Sequence, residues 1–330
     1  MPAALTLSAL PRARCLVAAL ATPLVPDFRP HVARLVAHAR GLLDAGCDGI
    51  ALFGTTGEGS EFAVEDRLAA LAALVTAGAP ARRIVVSVGA LAIPDVLRLA
   101  GDATAAGVDG VLLMPPPVYR EGITEDATFR YFDAVIGRLG RADLRLYLYH
   151  FPGICGVPIT PQVVRRLDER HPGIIAGVKD SGGDAEFTAE LARRFPHLAI
   201  FTGSETHLPE LLAQGVRGTV CGLANIMPRL LRAMIDAPTA FDRRAWLPDL
   251  MRGDAILSRR PFIPSAKAVI ADALGDPEWR RVIPPMPELP LLERQRLTAD
   301  FRAWDAGLPA AVRSLPGVLG GENVVGFRRA

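Results

Sequence analysis

A lysine, a tyrosine and two threonines carry the chemistry this sequence could do. Lys179 closes the apolar run Ile174-Ile175-Ala176-Gly177-Val178 and is followed by the turn Asp180-Ser181-Gly182-Gly183. Tyr149 closes a second run, Leu144 to Leu148, and His150 and Phe151 come next. Thr55 and Thr56 sit inside the glycine-bounded stretch Gly54-Thr55-Thr56-Gly57-Glu58-Gly59. Burial disfavours the charged form of a lysine, and a neutral amine is a nucleophile that condenses with carbonyls to give an imine, an electron sink. A nearby phenol can move protons to and from the carbinolamine, and a threonine hydroxyl can relay them. Backbone N–H groups in a glycine-bounded turn can hold a carboxylate. Each residue also has an ordinary reading. Lys179 could reach solvent or pair with Asp180. Tyr147 and Tyr149 share one face of their strand, and either could be plain core. His150 could be a satisfied loop histidine. Gly54 to Gly59 resembles a phosphate loop but lacks the Gly-Lys-Ser/Thr that a nucleotide site needs.

These residues must be positioned by the elements around them, and the elements alternate. Strands are predicted at Cys15–Val25, Asp48–Phe53, Ile84–Val88, Gly110–Met114, Leu144–Tyr149, Ile174–Lys179, Leu198–Thr202 and Gly218–Cys221. After each comes a run with helical spacing, the first at Pro30–Ala45. Eight strand–helix units within about 220 residues predict a parallel (β/α)8 TIM barrel, with an open doubly wound sheet as the alternative. Beyond Met227 only helical stretches recur, at 230–235, 243–258, 265–274 and 289–306. The expected organisation is a barrel over 1–228, a C-terminal helical appendage over 229–316 packed on it, and a loose glycine- and arginine-rich tail over 317–330. In such a barrel the C-terminal strand ends converge on one site. That gathers Thr55 and Thr56 after strand two, Tyr119 after strand four, Tyr149 at strand five, Lys179 at strand six and Gly203 after strand seven.

Composition narrows the function classes. The net charge of +2 over 330 residues, with scattered arginines, gives no case for nucleic acid or an anionic membrane. Mean hydropathy is +0.25, and no stretch is long enough to span a bilayer. Cys15 to Val25 follows Arg12 and Arg14 like a short signal core, but without a basic cluster before a long apolar run it reads as the first strand. The four cysteines form no C-x-x-C pair and no metal-ligand spacing with histidine, so a reduced, cytoplasmic protein is expected. Neither a metal nor an organic cofactor is called for. Cys155 has no local base and is a weak candidate nucleophile.

Three motifs in register, Gly54-Thr55-Thr56-Gly57-Glu58, Tyr149-His150-Phe151-Pro152 with Gly156, and Gly177-Val178-Lys179-Asp180-Ser181, resemble the dihydrodipicolinate synthase / N-acetylneuraminate lyase family. The resemblance covers roughly Leu16 to Pro228 and is similarly ordered and spaced. It implies a (β/α)8 barrel with C-terminal helices and a pyruvate-dependent class I aldolase or lyase, working as a homodimer or homotetramer. By position, Lys179 matches the Schiff-base lysine, Tyr149 the general acid/base tyrosine and Thr55 the proton-relaying hydroxyl. Thr56, with turn amides including that of Gly57, matches the pyruvate carboxylate site. Gly203 and Val220 match positions lining the pyruvate pocket. Tyr119 matches a second relay tyrosine that a neighbouring subunit lends. One departure bears on the acceptor. Synthases of the lysine pathway have an arginine two residues after the motif's proline, and Ile154 stands there in this chain. Arginine binds a carboxylate bidentately and isoleucine cannot, which puts aspartate semialdehyde in doubt as the acceptor. The alternatives are that synthase itself, with the charge supplied by Arg120, His150 or the appendage, a Schiff-base dehydratase or decarboxylase of a sugar-derived 2-oxo acid, and a 2-oxo acid sensor that turns nothing over.

Overall fold

The computed structural model describes residues 14–118 and 122–314. Tyr119, Arg120 and the segment 317–330 lie outside the described residues. The strands are β1 (Cys15–Ala19), β2 (Gly49–Leu52), β3 (Ile84–Ser87), β4 (Gly110–Leu113), β5 (Leu146–His150), β6 (Ile175–Asp180), β7 (Ala199–Thr202) and β8 (Gly218–Cys221). They close in that order into a barrel. The pairings β1–β2 and β3 through β8 are all parallel. Helices α1 (Val32–Asp44), α2 (Val64–Thr76), α3 (Ile93–Ala105), α4 (Glu125–Leu139), α5 (Pro152–Cys155), α6 (Pro161–Arg170), α7 (Ala185–Arg194) and α8 (Leu208–Ala213) lie between the strands. After β8 come α9 (Pro228–Asp236), α10 (Ala240–Arg244), α11 (Leu247–Leu257), α12 (Phe262–Leu274) and α13 (Leu291–Gly307). The (β/α)8 barrel followed by helices is the architecture the alternation predicts.

Local chemistry sets many of the boundaries. The strands are buried along almost their whole length, which is why they read as continuous apolar runs rather than alternating ones. Thr124, Thr160 and Asp184 cap α4, α6 and α7 by accepting hydrogen bonds from first-turn amides. The predicted first strand is shorter than expected: it ends at Ala19, and Leu20 to Val25 leave the sheet. The helix expected over 243–258 is two, α10 and α11. Pro248 sits in the first turn of α11, lacks an amide and would clash with the carbonyl four residues back, so a continuous helix cannot pass it. Helix α5 was not predicted; it is a single turn started by Pro152 and stopped by Gly156 in the left-handed conformation.

Contacts group the chain into two compact units. One spans 80–220 and carries β3 to β8. The other joins 16–79 to 221–314 and carries most of β1, β2 and the C-terminal helices. In the second unit, Asp48 at the start of β2 accepts from Leu16 N–H (2.8 Å) and from Arg232 of α9 (2.8 Å), both buried. Asn225, fully buried after β8, uses its amide completely. Its Nδ2 donates to Ala19 O (2.7 Å) and Gly222 O (2.8 Å), and its Oδ1 accepts from Ala21 N–H (2.9 Å). The same oxygen faces His38 Nε2 at 3.0 Å, so that nitrogen carries the imidazole proton. Burial, against a smaller upward pull from Asn225, lowers the His38 pKa to about 4.

This histidine is neutral when folded, while the unfolded chain protonates it near its ordinary value. Stability therefore falls as pH drops through 6.5 toward 4, by about 3 kcal/mol from this residue alone. His38→Gln keeps an N–H for Asn225 and removes the titration. Urea unfolding at pH 7 and pH 5 is expected to show the wild type losing about 2 kcal/mol more than the variant. Equal losses would refute the assignment.

Candidate active site

The unit spanning 80–220 brings Lys179 and Tyr149 together. They are direct neighbours on β6 and β5. Lys179 Nζ lies 4.1 Å from the centre of the Tyr149 ring. Both are buried, Lys179 at 5% and Tyr149 at 2% exposure, so the lysine does not reach solvent. The adjacency depends on an irregularity. The β5–β6 register shifts between Leu146 and Tyr147: Leu146 pairs with Ile175, and Tyr147 pairs with Gly177. Without that shift Tyr149 would sit opposite Val178, and its ring and the lysine would face opposite sides of the sheet. Tyr147, on the same face one step earlier, has a different task. Its hydroxyl donates to the buried Asp109 carboxylate at 2.7 Å, and its ring packs on Phe201. Of the two tyrosines left open by the sequence, Tyr147 is structural and Tyr149 meets the lysine.

The turn behind Lys179 is shaped by Asp180, which does not pair with the lysine. Asp180 Oδ1 accepts from Gly182 N–H (2.8 Å) and Oδ2 from the Thr188 hydroxyl (2.5 Å). Asp180 O accepts from Gly203 N–H (2.6 Å), which draws the end of β7 against this turn. Gly203 comes so near that a Cβ there would stand 2.2 Å from Ser181 Oγ. His150 backs the same turn. Its Nδ1 accepts from Ile159 N–H (2.9 Å), and its ring stacks near Phe187. Burial pushes the His150 pKa down, outweighing the upward pull of Asp180. Ile154 sits half-buried on α5. Cys155 is turned inward by that one-turn helix. It is fully buried, with Sγ 3.2 Å from Val157 O. Val220 is buried on β8.

In the other unit the stretch 54–59 folds into a tight turn. Gly57 N–H and Gly59 N–H donate to Gly54 O (3.0 and 3.2 Å), and Glu58 N–H donates to Thr55 O (3.1 Å). The amide expected of Gly57 is thus used within the turn. Gly57 O accepts from the Thr22 hydroxyl at 2.8 Å, and a Cβ at Gly57 would stand 2.6 Å from Leu20 O. Thr56 meets the end of β8: a Cβ at Gly222 would lie 3.0 Å from Thr56 Oγ1 and 2.6 Å from the Phe262 ring. Gly222, Phe262 and Lys267 went unnoticed in the sequence, and Glu58 was named only as part of its motif, with no role. A lysine within the apolar Phe262–Leu274 helix was the one available signal. Among the described residues, no group of three His, Cys, Asp or Glu side chains is placed to hold a metal ion. No helix among them is long and apolar enough to cross a membrane.

Fold and site together define a barrel enzyme built around a buried lysine. The chain belongs to the dihydrodipicolinate synthetase family, whose profile matches residues 12–251. It is 36% identical over 225 residues to an uncharacterized DapA-like lyase of Chloroflexus aurantiacus, covering 68% of this chain and 74% of that protein. It is 32% identical to a 4-hydroxy-tetrahydrodipicolinate synthase of Methylococcus capsulatus, covering 69% and 76%. Among solved structures, a dihydrodipicolinate synthase of Agrobacterium tumefaciens superposes with a TM-score of 0.81 at 31% identity, covering 89% of this chain and 99% of the other. The family assignment bears out the resemblance seen in the three motifs and the reading of an aldolase or lyase.

Asp180→Ala would take the carboxylate from the Gly182 amide, which is exposed and can turn to water, and from the buried Thr188 hydroxyl, which keeps only Asp184 O at 3.1 Å. Urea unfolding is expected to show a loss of about 1–3 kcal/mol. A loss under about 1 kcal/mol would mean the turn is held by other contacts.

Proposed function

We propose that this chain is a pyruvate-dependent class I aldolase or lyase in which Lys179 is the nucleophile. The observation that carries the reading is the buried Lys179 amine held against the ring of Tyr149 on the neighbouring strand. The amine adds to the carbonyl of a 2-oxo acid and water leaves, giving an imine. The protonated imine draws electrons from the adjacent carbon, which loses a proton to become an enamine and attacks an aldehyde. The reverse sequence cleaves a 2-oxo-3-deoxy acid. Tyr149 serves as the acid and base for these proton transfers, with Thr55 as relay. Thr56 holds the carboxylate of the 2-oxo acid, and Gly203 and Val220 shape its pocket. A homo-oligomer fits the exposure of Leu91 (68%) and Val118 (55%) in loops after β3 and β4, with Tyr119 next in the chain.

Borohydride with pyruvate is expected to fix an adduct on the Lys179 peptide, read by mass spectrometry. Lys179→Arg should give none, because guanidinium stays protonated. Tyr149→Phe should slow the trapping at least about a hundredfold. A folded wild type that gains no mass, or gains it on another residue, would sink the mechanism.

The acceptor is an aldehyde without a carboxylate at the Ile154 end. Ile154 supplies no charge there, and the neighbouring His150 is buried and pushed toward its neutral form. A carboxylate would lose a charge-assisted contact worth roughly 1.5–3 kcal/mol, about ten- to a hundredfold in specificity. Comparing kcat/KM for aspartate semialdehyde and for neutral aldehydes is expected to favour the latter. Ile154→Arg should shift the ratio toward the semialdehyde. Wild type already favouring the semialdehyde would overturn this choice of acceptor.

A further inference from the structure

Glu58 stands where a glutamate is unfavourable. Its backbone is left-handed, with φ at +53°, a region that glycine and asparagine enter readily and other residues do not. The contacts of its carboxylate offset that cost. That carboxylate is wholly buried against the equally buried Lys267 of α12. Oε2 takes the lysine ammonium and Oε1 accepts from Ile283 N–H at 2.7 Å. Lys267 Nζ donates in addition to Arg281 O at 2.8 Å. Buried ion pairs seldom add stability over an apolar pair of similar volume, but their geometry is demanding. Here the geometry is imposed on one short turn. Thr22 holds Gly57 O at one side, while Lys267 and Ile283 hold Glu58 at the other. Thr55 and Thr56 immediately precede these two anchored residues. The first residue of α12, Phe262, abuts the same Gly222 that Thr56 approaches. One C-terminal helix thus fixes the turn at Glu58 and borders it at Thr56.

We propose that Glu58 and Lys267 are positioning residues that hold the Thr55–Gly57 turn in the shape that receives the carboxylate of the 2-oxo acid. The inference rests on the Schiff-base reading above. It assigns a functional task to the C-terminal helices, which supply neither Lys179 nor Tyr149. The pair acts on recognition of the carboxylate; a displaced Thr55 relay would slow trapping of any ketone alike and cancels in the ratio between a ketone with a carboxylate and one without.

The test compares borohydride trapping at Lys179 for pyruvate and for hydroxyacetone, a ketone of similar size without a carboxylate, in the full-length protein. The principal variant is Glu58→Asn/Lys267→Met. Asparagine suits the left-handed backbone, and no buried charge is left behind. The preference for pyruvate over hydroxyacetone is expected to fall at least about tenfold, beyond any loss that both rates share through Thr55. Glu58→Gln, which sets an amide N–H₂ against the lysine, should show the same loss if the double variant does not fold. An unchanged preference, or equal falls in both rates as a merely structural defect would give, overturns the positioning role and leaves the Schiff-base reading standing. No pyruvate adduct in the wild type overturns both.

Discussion

A lysine amine closed off from water at the end of a barrel strand is the constraint on which this structure turns. Burying such a group is unfavourable unless the surroundings make use of it. The chain responds with a tyrosine ring 4.1 Å away on the next strand. The carboxylate beside it in sequence, Asp180, is occupied by Gly182 and Thr188. The amine is consequently not spent on the obvious structural ion pair. A parallel barrel is suited to this, because each strand delivers its last side chains to the same end while helices cover the outer faces.

In the unit spanning 16–79 and 221–314, several buried polar groups serve as ties. Asn225 makes four contacts and joins the exit of β1 to the loop after β8. Asp48 ties β1 and β2 to α9. Glu58 ties the turn after β2 to α12. In each case a buried donor or acceptor left alone would be costly, and full pairing makes the alternative loop conformations unfavourable by the same amount. In this unit the C-terminal helices are thereby bound to the turn at 54–59.

Much of this was legible in the sequence. Strand–helix alternation specifies a parallel barrel because helices on the outside and a packed interior leave both strand faces dry. Eight buried apolar runs record that directly. Lys179 and Tyr149 were legible as strand-terminal residues, and so was the sharp turn at Gly54–Gly59. Apolar periodicity depends on neighbours within a few residues, and so it survives in one dimension.

What tertiary structure alone decided are the register and the long-range partners. A one-residue shift between β5 and β6 sets Tyr149 opposite Lys179 and gives Tyr147 to Asp109. The spacing of either strand carries no trace of it, because register belongs to the pair. Glu58 and Lys267 lie 209 positions apart, and nothing local to either names the other as its partner. Cys155, a weak candidate nucleophile in the sequence, is buried by a single helical turn. The sequence by itself determined which groups could react and that a barrel would carry them. Which of them meet was decided by contacts between segments distant in the chain, whose energies no local pattern records.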